Sequence, residues 1–217
     1  MSMDSLRTYY DRRAPEYDAV YQRDDPARQQ EQAALARALQ HAVSGRRVLE
    51  VACGTGYWTA YAAQVARHVV ATDASEEMLA IARGKPLSPQ VVTFQQADAY
   101  HLGEVTGSFD SGLAAFWLSH VPQIWLDRFL AGFHRQLLPG SVIFLTDNVH
   151  RRGVGGELIA PRGSHDTFKL RTLSDGSRFR ILKNYYDADR LHDTLAPYAR
   201  DLSVHVGEYY CWARYTI

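Results

Sequence analysis

Apolar positions along this chain change their period several times. Ala34, Leu35, Ala38, Leu39 and Ala42 recur at helical spacing, behind a proline at Pro26 and ahead of Ser44-Gly45, so a helix is expected from about 27 to 41. The stretch before it, punctuated by Tyr9, Tyr10, Tyr17 and Tyr21, also reads as helical. From Arg46 the pattern becomes short apolar runs: 48–52, 68–74, 91–96, 109–116 and 141–149. Helical patterns separate them, at 58–67, after Ser75-Glu76-Glu77, and over 122–138. The last places Ile124, Leu126, Phe129, Leu130, Phe133 and Leu137 on one apolar face and is expected to end at Pro139-Gly140.

After Val149 the alternation stops. The stretch 150–164 is rich in Gly and Arg and reads as loop, and 168–173 and 178–184 flank Asp175-Gly176, a hairpin turn signal. A helix over 187–198 and two strands within 202–217, joined near Gly207, complete the chain. Strands alternating with helices imply right-handed crossovers and a largely parallel sheet, with ligands outside the carboxyl ends of its strands. The expected fold is α/β: a Rossmann-like, mostly parallel sheet of seven strands with a C-terminal antiparallel strand. An N-terminal helical lid and a β-hairpin inserted after the fifth strand are added to it. A single domain is expected, divided into lid (1–43), ligand-binding core (44–149), insertion (150–186) and final helix with strands (187–217).

Composition changes this picture little. With 217 residues, a core needs no disulfide or metal support. The two cysteines, Cys53 and Cys211, form no ligand pattern, and no metal site is expected. Acids and bases balance at 24 each, which argues against a nucleic-acid substrate, although Arg151, Arg152 and Arg162 are candidates for a local basic patch. The N-terminus has no apolar leader core and no stretch is long enough to span a membrane, so a cytoplasmic protein is expected.

The chemistry concentrates at Val48-Leu49-Glu50-Val51-Ala52-Cys53-Gly54-Thr55-Gly56. Alternate glycines after a buried strand permit a tight turn close to a ligand. Asp73 ends the next strand about twenty residues on, where an acid accepts both ribose hydroxyls. A dinucleotide site would want a third glycine, but Thr59 stands there. An acid at Glu50 suits a cationic ligand group and not a pyrophosphate. The pattern asks for a nucleoside with a cationic tail and disfavours an NAD oxidoreductase.

Glu50-Val51-Ala52-Cys53-Gly54-Thr55-Gly56 resembles the first motif of class I S-adenosylmethionine-dependent methyltransferases. The similarity continues through Ala71-Thr72-Asp73-Ala74-Ser75, Gln96-Ala97-Asp98-Ala99, Phe109-Asp110 and Leu137-Leu138-Pro139-Gly140. The stretch Tyr10–Asp18 is similar to the N-terminal lid of quinone-biosynthesis and related small-molecule methyltransferases. The resemblance implies S-adenosylmethionine as donor, S-adenosylhomocysteine as product, and a small-molecule acceptor with an O, N, S or C nucleophile. Backbone at Ala52, Gly54 and Gly56 would line the methionine part, and Glu50 would lie near its ammonium. Asp73 would grip the ribose, Ala74 would touch the adenine, Asp98 would accept from its amino group and Ala99 would donate to the ring, with Met78 also among the donor-binding residues. Ala115 and Phe116 would approach the donor methyl, with Tyr17 closing over it. His120 is the candidate general base, with an ordinary pKa near neutrality, or else a residue that only holds the loop before Pro122. Of the aromatics expected near the cleft (Tyr9, Tyr10, Tyr17, Tyr57, Trp58, Trp117, Tyr185 and Tyr186), most read as ordinary core. A donor-binding protein without activity, or an RNA or protein methyltransferase, is the alternative; monomer and homodimer both stay open.

Overall fold

The computed structural model describes residues 3–217. Met1 and Ser2, on which part of the reading of the N-terminus rests, lie outside the described residues. Helix α1 (Met3–Arg13) runs into a 3-10 helix (Ala14–Tyr21), and α2 (Pro26–Val43) follows. The start of α2 is set locally: the Asp25 carboxylate accepts from the Arg28 N–H at 3.1 Å, and Pro26 occupies the first turn.

The alternating core follows as β1 (Arg47–Val51), α3 (Tyr57–Ala63), β2 (His68–Asp73), α4 (Glu76–Arg83), β3 (Val92–Gln96), β4 (Phe109–Ala115), α5 (Leu126–His134) and β5 (Leu137–Asn148). Ser75 caps α4, accepting from the Met78 N–H at 3.1 Å. The insertion holds β6 (Leu158–Ile159), β7 (Phe168–Thr172) and β8 (Arg178–Leu182); then come α6 (Ala188–Leu195), β9 (Arg200–Val206) and β10 (Tyr210–Thr216).

The main sheet has seven strands in the order β3-β2-β1-β4-β5-β10-β9, parallel except where β10 pairs antiparallel with β5 and β9. Strands β6, β7 and β8 form a separate antiparallel sheet. The fold expected from the alternation is the one observed, and the insertion carries one short strand, β6, more than the expected hairpin. Neighbouring residues on a strand feed opposite faces. Leu49 and Val51 pack with Phe129, Phe133, Leu191 and Leu195 on one side, whereas Val48 packs with Leu35, Leu39, Trp58 and Leu79 on the other. Both faces of the parallel strands are thus covered by helices, which is why their sequences read as continuous apolar runs.

One element departs from expectation. The helix expected over 122–138 is a 3-10 turn (Gln123–Trp125) followed by α5, which ends at His134. Ile124, assigned to the apolar face, is 80% exposed on that turn. Pro139-Gly140 does not end the helix but lies inside β5, where the register against β4 shifts between Phe109 and Ser111. Gly140 takes φ +80° there and its N–H donates to the Ile217 carbonyl at 2.8 Å. The bend is held by the far end of the chain, a contact no local pattern announces. Among the described residues, no helix is long and apolar enough to cross a membrane, and no cluster of metal-ligating side chains occurs.

Candidate functional site

The strand order reverses between β1 and β4, and the site forms outside their carboxyl ends. The residues that follow these two strands, Ala52 at φ +52° and Phe116 at φ +61°, are non-glycine residues in the left-handed region. Such backbone is uncommon and concentrates where a ligand is clamped. After Ala52 the loop turns at Gly54, whose N–H donates to the Asp73 carboxylate at 2.8 Å; the other Asp73 oxygen accepts from the Ser75 N–H at 2.9 Å. Burial raises the Asp73 pKa above the ordinary carboxylate value.

A cavity of about 210 Å³ opens here, walled by Ala52, Gly54, Asp73, Ala74, Met78, Asp98, Ala99, Ala115, Phe116 and His120, with Leu6, Arg7, Tyr10 and Tyr17 from the lid. Eleven of the thirteen residues expected at the site, Tyr17 included, therefore line one space. Glu50 and Gly56 do not. Gly56 sits at φ +74° at the start of α3, and a Cβ there would lie 3.1 Å from the Ala82 Cβ. Its smallness serves the packing of α3 on α4. Glu50 is fully buried behind the loop; neither carboxylate oxygen has a hydrogen-bond partner, and burial pushes its pKa up to about 8. Asp98 lines the cavity and also makes its own turn, accepting from the Tyr100 N–H at 2.9 Å and meeting His101 Nδ1 at 2.9 Å.

The N-terminal segment is tied down by Asp18, which accepts from Lys85 Nζ at 2.6 Å and from the Thr55 hydroxyl on the glycine loop. Tyr21 stacks on Tyr57 with ring centroids 3.8 Å apart. Of the other aromatics, Tyr10 and Trp117 join the cavity wall, while Tyr9 packs against Phe179 under the insertion. Sequence reasoning missed Leu6 and Arg7 of α1; the available signal was that Leu6 stands one helical turn before Tyr10.

A second cavity of about 190 Å³ adjoins the first, sharing Tyr10, Tyr17, Phe116 and His120 with it. His120 Nδ1 lies 2.7 Å from the Leu182 carbonyl, so that nitrogen carries the proton and donates it. Nε2 is left as the acceptor and receives the Tyr10 hydroxyl at 2.8 Å. Burial, then the nearby Lys183 charge, lowers the His120 pKa to about 3, far from the near-neutral value expected of an exposed histidine. Lys183 is itself buried, donating to Asp147 Oδ1 at 2.8 Å and Ser119 Oγ at 2.6 Å. Of the arginines expected to form a basic patch, Arg151 lines the second cavity, whereas Arg152 and Arg162 are exposed outside it.

The reversed strand order, the acid at the end of β2 and the cavity over the glycine loop define a Rossmann-like nucleoside-binding class. Residues 48–140 match the family model described as a methyltransferase domain. The solved DhpI-SAM-HEP complex is 30% identical, with a TM-score of 0.78, and the match covers 99% of this chain and 98% of that one. A demethylmenaquinone methyltransferase of Clavibacter sepedonicus is 38% identical over 48% of this chain and 42% of its own length. A ubiquinone biosynthesis O-methyltransferase of Pseudomonas aeruginosa is 33% identical over 59% of each chain. The chain spans about half the length of these curated relatives. This chain belongs to the class I S-adenosylmethionine-dependent methyltransferases.

Proposed function

We propose that this chain transfers the methyl group of S-adenosylmethionine to a nucleophilic atom of a small-molecule acceptor, releasing S-adenosylhomocysteine. The observation that carries the reading is the pair of cavities meeting at Tyr10, Tyr17, Phe116 and His120. One is bounded by the strand-end acids Asp73 and Asp98, and the other opens away from them under the insertion. Donor and acceptor would face each other across that shared wall.

The residues present fit the donor. Asp73 would accept from the ribose hydroxyls, while Asp98 and the Ala99 N–H would meet the adenine edge, with Ala74 and Met78 against the nucleoside. Backbone at Ala52, Gly54, Ala115 and Phe116 would follow the methionine part towards the shared wall. The unpartnered oxygens of Glu50 suit a cationic ligand group, reached through water because Glu50 lies behind the loop. The sulfonium supplies an already activated methyl group. The chain's own contribution is then alignment and exclusion of water under the lid, worth about 7–11 kcal/mol in favourable cases, with His120 accepting a proton where the nucleophile carries one. The names of the relatives above support a small acceptor.

Glu50 gives this reading a linkage test. A buried carboxyl with pKa about 8 is protonated in the folded chain where the unfolded chain has lost its proton. Stability from this group is present at low pH and is lost as pH rises towards 8. Glu50→Gln is therefore expected to raise the melting temperature at alkaline pH without ligand and to weaken donor binding. Thermal scans across pH, with and without S-adenosylhomocysteine, check both; a variant that binds the ligand as well as wild type removes Glu50 from the donor site.

The activity itself is tested by titrating S-adenosylhomocysteine into the purified chain, then incubating it with S-adenosylmethionine and a metabolite extract. Saturable binding of one ligand per chain in the micromolar range or tighter, about −8 kcal/mol, is expected. A product heavier by one CH₂ should accompany S-adenosylhomocysteine release. Folded protein that gives no binding at about millimolar ligand overturns the donor reading.

A further inference from the structure

The whole chain is electrically balanced, yet its charges are not evenly spread. The second cavity is walled by Arg13, Arg23, Arg28, Arg151, Arg171 and Lys183, and by one carboxylate, Asp25. Two of these cations are already neutralised: Lys183 by Asp147 at 2.8 Å and Arg151 by Glu208 at 2.9 Å. Arg13, Arg23, Arg28 and Arg171 have no carboxylate within ion-pair distance among the described residues. Asp25 accepts from the Arg28 backbone N–H and from the Tyr209 hydroxyl at 2.9 Å, which occupies it as a helix cap.

Two of the four also carry a buried donor that is unused. Arg28 is only 8% exposed and its Nε has no hydrogen-bond partner; its guanidinium lies 5.4 Å from the Tyr210 ring centroid. The Arg171 Nε is likewise buried and unpartnered. The groups feel one another: Arg23 is pushed below its ordinary pKa by desolvation, then by the charges of Arg28, Arg171 and Arg13.

These residues come from separate elements. Arg13 ends α1, Arg23 follows the 3-10 helix, Arg28 opens α2, and Arg171 lies on β7 of the insertion. Gathering like charges from four places into a partly dry space costs free energy unless a ligand supplies the opposite charge. Guanidinium forks are suited to oxyanions, which they bind through paired, charge-assisted hydrogen bonds. A nucleic-acid backbone is a poor candidate for that charge, since the cations converge on one cavity of about 190 Å³ and not along an open stripe.

We propose that the second cavity is an oxyanion site, and that the methyl acceptor carries a doubly charged group of the phosphate type held between Arg28, Arg171, Arg13 and Arg23. The identification of that ligand as the acceptor rests on the two-cavity reading above; the anion site itself does not. Bound there, the anion would orient the rest of the acceptor towards the wall of Tyr10, Phe116 and His120, and so towards the donor. The insertion would then select the acceptor by its charge, with Arg171 as its contribution.

The test is calorimetric titration of inorganic phosphate, sulfate and acetate into protein saturated with S-adenosylhomocysteine. Phosphate is expected to bind saturably, one per chain, with a dissociation constant of about a millimolar or tighter and more tightly than acetate. Arg171→Gln and Arg28→Gln should each weaken phosphate by about tenfold or more while S-adenosylhomocysteine affinity stays unchanged, which also shows that the variants fold. Arg37→Gln, an exposed site on α2, should change neither. Phosphate binding that is absent, or equal in wild type and in both cavity variants, overturns the oxyanion site. Acetate binding as tightly as phosphate overturns the double charge. Failure of S-adenosylhomocysteine to bind wild type would instead strike the donor reading, so the two failures are told apart in one series.

Discussion

Replacing His120 with alanine is expected to lower kcat by about a hundredfold or more while leaving S-adenosylhomocysteine affinity nearly intact. The geometry specifies why. The bond from Nδ1 to the Leu182 carbonyl fixes the tautomer, so the basic lone pair on Nε2 faces the wall shared by the two cavities. In the structure that lone pair receives the Tyr10 hydroxyl at 2.8 Å, which keeps it aimed and occupied until an acceptor proton replaces it. Tyr10→Phe should therefore cost less than the loss of the imidazole. The pH dependence follows from burial. A His120 pKa of about 3 keeps the imidazole unprotonated throughout the usual assay range, and the same low value makes it a weak base, suited to a nucleophile that gives up its proton readily. The kcat/KM profile is expected to show no rising limb near the ordinary histidine value of about 6.5. A limb there would mean that the base is a different group, or that His120 is exposed to water in the working enzyme. If His120 only shapes the loop before Pro122, the alanine variant should lose little turnover, and any loss should come with weaker donor binding.

The second large effect is expected at Asp73. Under the donor reading, Asp73→Ala should weaken S-adenosylhomocysteine by about 1.5–3 kcal/mol for each lost hydrogen bond to the charged group, or tenfold to more than a hundredfold. The same carboxylate accepts the Gly54 and Ser75 N–H groups at 2.8 and 2.9 Å, so its removal also leaves two loop donors without their acceptor. Stability should then fall by about 1–3 kcal/mol. Asp73→Asn keeps one oxygen and should lie between wild type and alanine in both measurements. Calorimetric titration and chemical denaturation separate the two effects. Unchanged affinity together with lost stability would make Asp73 a loop holder only.

Much of the cavity over the glycine loop was legible because its determinants are short-range. The run 48–52, the glycine turn, the capping serine at Ser75 and the acid at Asp73 lie within about thirty residues and specify strand, turn and helix in order. Gly56 and Glu50 show where that legibility thins. Both were read as ligand neighbours from the motif, but the glycine faces Ala82 and the acid is sealed behind the loop. A spacing reports that a small or acidic residue is required; what it touches depends on α4 and β3 packing from outside the motif.

By itself, then, the sequence determined the alternating α/β order, the caps and the cluster of residues at the ends of β1, β2 and β4, because periodicity and capping act between near neighbours. Tertiary structure decided the remainder. The backbone turn at Gly140 is held by Ile217, 77 positions on in the chain. The low pKa of His120 depends on burial beneath the insertion and on Lys183, 63 positions away in the chain. The second cavity gathers arginines that look unremarkable in a chain of zero net charge. Electrostatics depends on distance and solvent exclusion, and both are properties of the packed molecule that no local pattern along the chain encodes.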